Sequence, residues 1–143
     1  MPSPRCPQRV SVEAMRLFHL LMAAFFLSCA ALQWNDPDPV PWMSVYTVAA
    51  VLTLTAQRLP KGPLLCTLVA ATALSWAAMI APGARGANWA EVFGAVSMKT
   101  EAVEVARETA GLLIVAAWLF GRAVALRRRR ALRSAGGAAE GLV

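Results

Sequence analysis

A single histidine, His19, and three cysteines that form no C-x-x-C pair leave the chain without the usual ligand sets of a metal or thiol-redox centre. Cys6, Cys29 and Cys66 are scattered along the sequence, and a lone histidine such as His19 reads as an interfacial polar side chain. No nucleophile set or phosphate-binding loop is present, and no cofactor is called for. Ionisable groups are missing from the centres of the first three long apolar runs, which argues against the small multidrug exporters, where a carboxylate sits inside the first span. There is also no convincing internal repeat of the kind that marks a transporter of two related halves. These absences leave activity open and topology legible.

Four stretches of bilayer-spanning length are present: Leu17–Trp34, Val40–Gln57, Leu64–Ala81 and Thr109–Leu126. With 58% apolar residues in a chain of 143 and a positive mean hydropathy, no separate soluble core is left to build. The expected fold is an all-α integral membrane four-helix bundle, a single domain over 17–126. A basic arm over 1–16 precedes it. A tail over 127–143 follows, basic at first and disordered after Arg133.

The net charge of +6 resolves once it is divided among the segments. The amino-terminal arm (Arg5, Arg9, Arg16), the second loop (Arg58, Lys61) and the tail (Arg122, Arg127 to Arg130, Arg133) hold eleven of fourteen bases and only Glu13 and Glu140 as acids. The first and third loops hold Arg85, Lys99 and Arg107 against six acids. Positive-inside bias puts both termini in the cytoplasm and loops one and three outside. Trp34, Trp42 and Trp76 fall near the outer boundary as interface anchors, which agrees with that orientation. The Arg127–Arg130 run reads as a stop-transfer cluster on anionic lipid in preference to a nucleic-acid patch. Plasma or bacterial inner membrane is the default location.

The first apolar run has a basic arm and small residues around Cys29, the outline of a cleaved leader. It continues through Ala31 and Leu32 to Trp34, however, and retention as an anchor is the expectation. Small residues recur at helical spacing, Ala24 with Ser28 and Thr67 with Ala71 and Ser75. Such stripes are expected to be packing seams, since small side chains let helices approach closely in lipid.

The most distinctive local sequence is Gln33-Trp34-Asn35-Asp36-Pro37-Asp38-Pro39. Proline disfavours the helical conformation in the preceding residue, so Asp36 and Asp38 should be extended on a short, stiff connector between antiparallel helices. Asn35 and Asp36 would end one helix, with Asp38 or Pro41 beginning the next. Alternatively, two rigid carboxylates and an amide oxygen could form part of an oxygen-ligand site for calcium or magnesium.

A second distinctive segment precedes the fourth span. Asn88-Trp89-Ala90-Glu91 has the pattern of an N-cap with a matching acid, and Val92, Phe93 and Val96 suit a helix lying on the outer leaflet. A helix then restarts near Ser97 or Thr100, with Glu101, Glu104 and Glu108 on one face and Arg107 a turn from Glu104. From Thr109 to Gly121 only thirteen residues lack charge, about 20 Å of helix against a hydrocarbon layer of about 30 Å. Arg122 is expected to snorkel to the inner headgroups, and Arg107 at the outer boundary to pair with Asp36 or Asp38.

The run Leu21-Met22-Ala23-Ala24-Phe25-Phe26, continued by Asn35-Asp36-Pro37-Asp38, Trp42 and Val45-Tyr46-Thr47, resembles the opening hairpin of the transmembrane protein 220 family. The segment Arg107-Glu108-Thr109-Ala110-Gly111-Leu112-Leu113-Ile114, ending in Trp118, is similar to the start of that family's late span. The resemblance implies a small multi-pass membrane protein whose biochemical role is not established, and it transfers no catalytic residue.

Three functions from different classes follow. The favoured one is a non-enzymatic membrane protein in which Asn35, Asp36, Asp38, Glu104, Arg107 and Glu108 form a polar lock on the outer face. That lock would support contact with another membrane protein or a second copy of the chain. The alternative is a cation-binding or small-solute transport protein using Asp36, Asp38, Glu104 and Glu108 as oxygen ligands. The third is a lipid-modifying enzyme with Asp36 or Glu108 as acid or base, although no nucleophile or metal set accompanies them. The bilayer is the one partner common to all three, and nucleic acid is not expected.

Overall fold

A computed structural model of the chain describes residues 7–94 and 100–140, with side chains described for 12–94 and 100–135. The described residues are helical and contain no strand. Five α-helices are present among them: α1 (Pro7–Leu32), α2 (Pro39–Thr55), α3 (Gly62–Ile80), α4 (Trp89–Gly94) and α5 (Glu101–Glu140). Helices α1, α3 and α5 are long and apolar enough to cross a bilayer. The apolar α2 has 17 residues, the lower bound for a span. This is an all-α membrane protein. Its helices fall into two compact units, Met1–Pro60 and Lys61–Val143.

In the first unit, α1 packs on α2 through a short connector. The last turn of α1 tightens to a 3-10 turn over Gln33–Asn35, closed by the Asp36 amide donating to the Gln33 carbonyl at 3.2 Å. Asp36 is extended (φ −69°, ψ 151°), as its position before Pro37 requires. Asp38 occupies the N-cap position of α2 without a side-chain capping bond, and Pro39, rather than Pro41, is the first helical residue. Phe26 is fully buried and sets the phase of α1, so Ala23 and Ala30 share its buried stripe. Ala24 and Ser28, expected as a seam, are exposed, and the Ser28 hydroxyl donates to the Ala24 carbonyl of its own helix at 2.9 Å.

In the second unit, α3 packs along α5. The buried face of α3 is Cys66, Ala70, Ala73 and Ala77. The expected stripe is displaced from it by one residue: Thr67 is half-buried, and Ala71 and Ser75 are exposed. The facing α5 buries Leu112, Val115, Ala116, Leu119, Ala123 and Leu126 at spacings of three and four.

Helix α5 runs for 40 residues and continues well past its apolar stretch. The tail expected to be disordered after Arg133 is helical to Glu140. Residues after the membrane extend an existing helix, with no new nucleus to form, and Ala131, Leu132, Arg133 and Ala135 are strong helix formers that offset Gly136 and Gly137. At the other end, α1 starts at Pro7, so most of the expected basic arm is helical.

Arg122 is buried, 6% exposed, and does not snorkel. It lies within electrostatic reach of the buried Cys66 on α3. With this cation shielded inside the protein, the stretch from Thr109 to Leu126 provides about 27 Å of helix, close to the hydrocarbon thickness. Gly121, beside it, is exposed, and a Cβ there would meet nothing within 4 Å. Gly121→Ala is therefore expected to stabilise the protein by about 0.5–1 kcal/mol through helix propensity alone, read as a higher melting temperature in detergent.

Candidate functional site

The chemistry-bearing residues of the second unit gather where α4 meets the first turns of α5. A six-residue helix is too short to hold itself together in water, and three local devices fix α4 in place. At its start the Asn88 carboxamide oxygen accepts from the Ala90 amide at 3.1 Å, and the Asn88 carbonyl accepts from the amides of Glu91 and Val92 at 3.0 Å each. The Asn88 amide also donates to a Glu91 carboxylate oxygen at 3.4 Å, so the cap and acid expected from sequence do engage. Underneath, Val92 is buried against Val103 and Ala106 of α5, with Ala84 and Ala87 closing the small apolar cluster.

The third device is Arg107. Its Nε donates to the Val92 carbonyl at 3.0 Å and its Nη2 to the Glu91 carbonyl at 2.9 Å. These carbonyls lie in the last turn of α4, where main-chain oxygens have no intrahelical donor and where positive charge suits the helix dipole. The planar guanidinium reaches two successive carbonyls at once, which a lysine ammonium does less well. Two of the acceptors of Arg107 are therefore main-chain oxygens of its own unit, a use of the side chain beyond the carboxylate pairing suggested by sequence.

The start of α5 is equally local. The Thr100 carbonyl accepts from the amides of Val103 and Glu104, at 3.1 and 3.2 Å, and the Thr100 hydroxyl also lies 3.4 Å from the Val103 amide. Ser97, the other expected start, lies outside the described residues, as does Val96. Glu101 is exposed, while Glu104 and Glu108 are half-buried. Glu101 and Glu104 sit in the first turn, where negative charge complements the dipole. The preceding segment approaches α5 closely, since a Cβ on Gly83 would come within 3.3 Å of Val105. It then turns through Gly86 at φ +85°, a conformation that favours glycine.

In the first unit, Asp36 is half-buried, and Asn35 and Asp38 are exposed on the connector. Of the expected interface anchors, Trp34 is exposed, Trp76 is half-buried and Trp42 is buried at 7%. Trp42 sits in the first turn of α2 on the same face as buried Tyr46 and Ala49, so it packs inside the protein and does not meet lipid. Among the described residues, no three His, Cys, Asp or Glu side chains converge into a group able to hold a metal ion.

At the opposite end of α5, the Arg127 guanidinium donates to the Thr67 hydroxyl of α3 at 3.1 Å, and that hydroxyl donates to the Pro63 carbonyl at 2.9 Å. Sequence reasoning missed both arginine contacts. Their nearest signal was position, since Arg107 and Arg127 flank the apolar stretch of α5 that is interrupted only by Arg122.

No solved structure matches the chain. The family model described as "Transmembrane family 220, helix" matches residues 25–124, from the last third of α1 into the apolar stretch of α5, and so includes the connector and the α4 cap. With more than two thirds of its length matched, and with the apolar helices in place, the chain belongs to transmembrane family 220.

Proposed function

We propose that this integral membrane protein is non-enzymatic, and that its outer polar residues are structural locks which hold a fixed surface for a membrane partner. Asn35, Asp36 and Asp38 would serve the connector of the first unit, and Glu104, Arg107 and Glu108 the α4 cap of the second. The observation that carries the reading is Arg107. Its guanidinium is engaged on two main-chain carbonyls, an arrangement that positions a helix and presents no reactive atom. A short helix held at its start, underneath and at its end offers the rigid surface that recognition needs.

The competing reading is cation binding by Asp36, Asp38, Glu104 and Glu108. Thermal unfolding of the detergent-purified protein separates the two, because a ligand bound to the native state must stabilise it. We expect the same melting temperature with chelator and with calcium, magnesium or zinc, and a lower one for Asp36→Asn/Asp38→Asn in every condition. A metal-dependent rise that disappears in the variant overturns the lock in favour of cation binding. An unchanged melting temperature in the variant removes the connector from the lock.

A further inference from the structure

Trp89 and Phe93 stand one turn apart on α4, with ring centroids 6.2 Å apart and planes inclined by 22°. They are 65% and 84% exposed, while Val92 between them is buried against α5. We propose that this stacked pair is a lipid-facing wedge that seats α4 in the outer leaflet, at the boundary between phospholipid headgroups and acyl chains.

Depth along α5 carries the argument. Helix α4 packs on Val103 and Ala106 and is held by Arg107, and the uncharged run of α5 begins at Thr109. At the helical rise these contacts lie about 3–9 Å outside the start of that run. Interfacial helices bury their apolar face in this same zone, and tryptophan is enriched there because its ring is apolar and its N–H is polar. In open water, two large rings this exposed would form an uncovered apolar patch. Two turns further along α5 from Ala106 and Arg107, and so on the side of the helix that carries α4, Leu113 and Ile114 are also exposed. The clamps on α4 matter here, since a helix this short holds two rings in one orientation only if its backbone is fixed from outside.

This placement rests on the α4 lock for the fixed orientation of the rings and is independent of the connector lock. The test uses the full chain in phosphatidylcholine vesicles whose acyl chains carry bromine at a shallow or a deep position. Subtracting the emission of Trp89→Phe from that of the wild type isolates Trp89 from Trp34, Trp42, Trp76 and Trp118. The Trp89 component should be quenched at least twofold more by shallow bromine than by deep bromine, and only weakly by aqueous iodide. Strong iodide quenching with no bromine effect would put the pair in water and overturn the wedge. Quenching by neither agent would mean that protein covers the pair, a second copy or a partner, and overturns it equally. Circular dichroism and melting of Trp89→Phe check that the difference reports one side chain and not a misfolded one. An altered melting response to metals would disturb the lock reading and leave the quenching result standing.

Discussion

Replacing Arg107 with alanine should release α4 from α5. Two hydrogen bonds from a charged donor are lost, and two carbonyls in the last turn of a helix are left without that donor. Hydrogen bonds to charged groups contribute about 1.5–3 kcal/mol each, and partial exposure of Arg107 reduces the combined loss below the simple total, to about 2–4 kcal/mol. The effect should be local before it is global. Hydrogen exchange at Val92 and Phe93 is expected to rise by orders of magnitude, while exchange in the middle of α3 stays slow. Arg107→Lys should recover part of the loss, since an ammonium supplies the charge but not the planar pair of donors. Unchanged exchange in the alanine variant would show that Asn88 and Val92 suffice to hold α4, and that the guanidinium is dispensable.

The second large effect is expected inside the membrane. Ala73 is fully buried on α3, and Ala71, two residues earlier, is exposed. In lipid, helices gain little from leaving one apolar medium for another, so their association depends on close approach and dispersion contacts. Ala73→Leu adds three carbons where no space exists and should destabilise the fold by about 1–3 kcal/mol. Ala71→Leu adds the same atoms to the exterior and should be nearly neutral. The contrast is read as the difference between two melting temperatures in one detergent. Similar values for the two variants would mean that the buried face has been assigned to the wrong side of α3.

That pair of alanines also shows where sequence reasoning ends. Span lengths are legible because hydrocarbon thickness imposes them. Helix phase is not, because a helix with lipid on one side and protein on the other is apolar all round. The alternation that would mark a buried face in water is therefore absent from α3, and Thr67, Ala71 and Ser75 looked as good a seam as Cys66, Ala70, Ala73 and Ala77. Only the placement of the large side chains on the facing helix α5 decides it for α3, as Phe26 does for α1.

The site divides along a similar line. The Asn88 cap and the start of α5 at Thr100 were legible, because side-chain caps need particular residues at particular offsets. The acceptors of Arg107 were not, because every residue carries a carbonyl and nothing in Glu91 or Val92 advertises that theirs will be used. Arg122 escaped for another reason. Snorkelling assumes that a long cation faces lipid, and its position on the buried stripe with Leu119, Ala123 and Leu126 removes that premise.

The unbroken length of α5 gives the protein a lever. Forty residues make a rod of about 60 Å, roughly twice the hydrocarbon layer, with α4 fixed near its first turns and the arginines Arg127 to Arg130 beyond its apolar stretch. A rod of that length pivoting by about 10° about one end carries the other through about 10 Å. Because one continuous helix carries both, the α4 cap and the arginine run cannot change orientation independently of each other unless α5 bends.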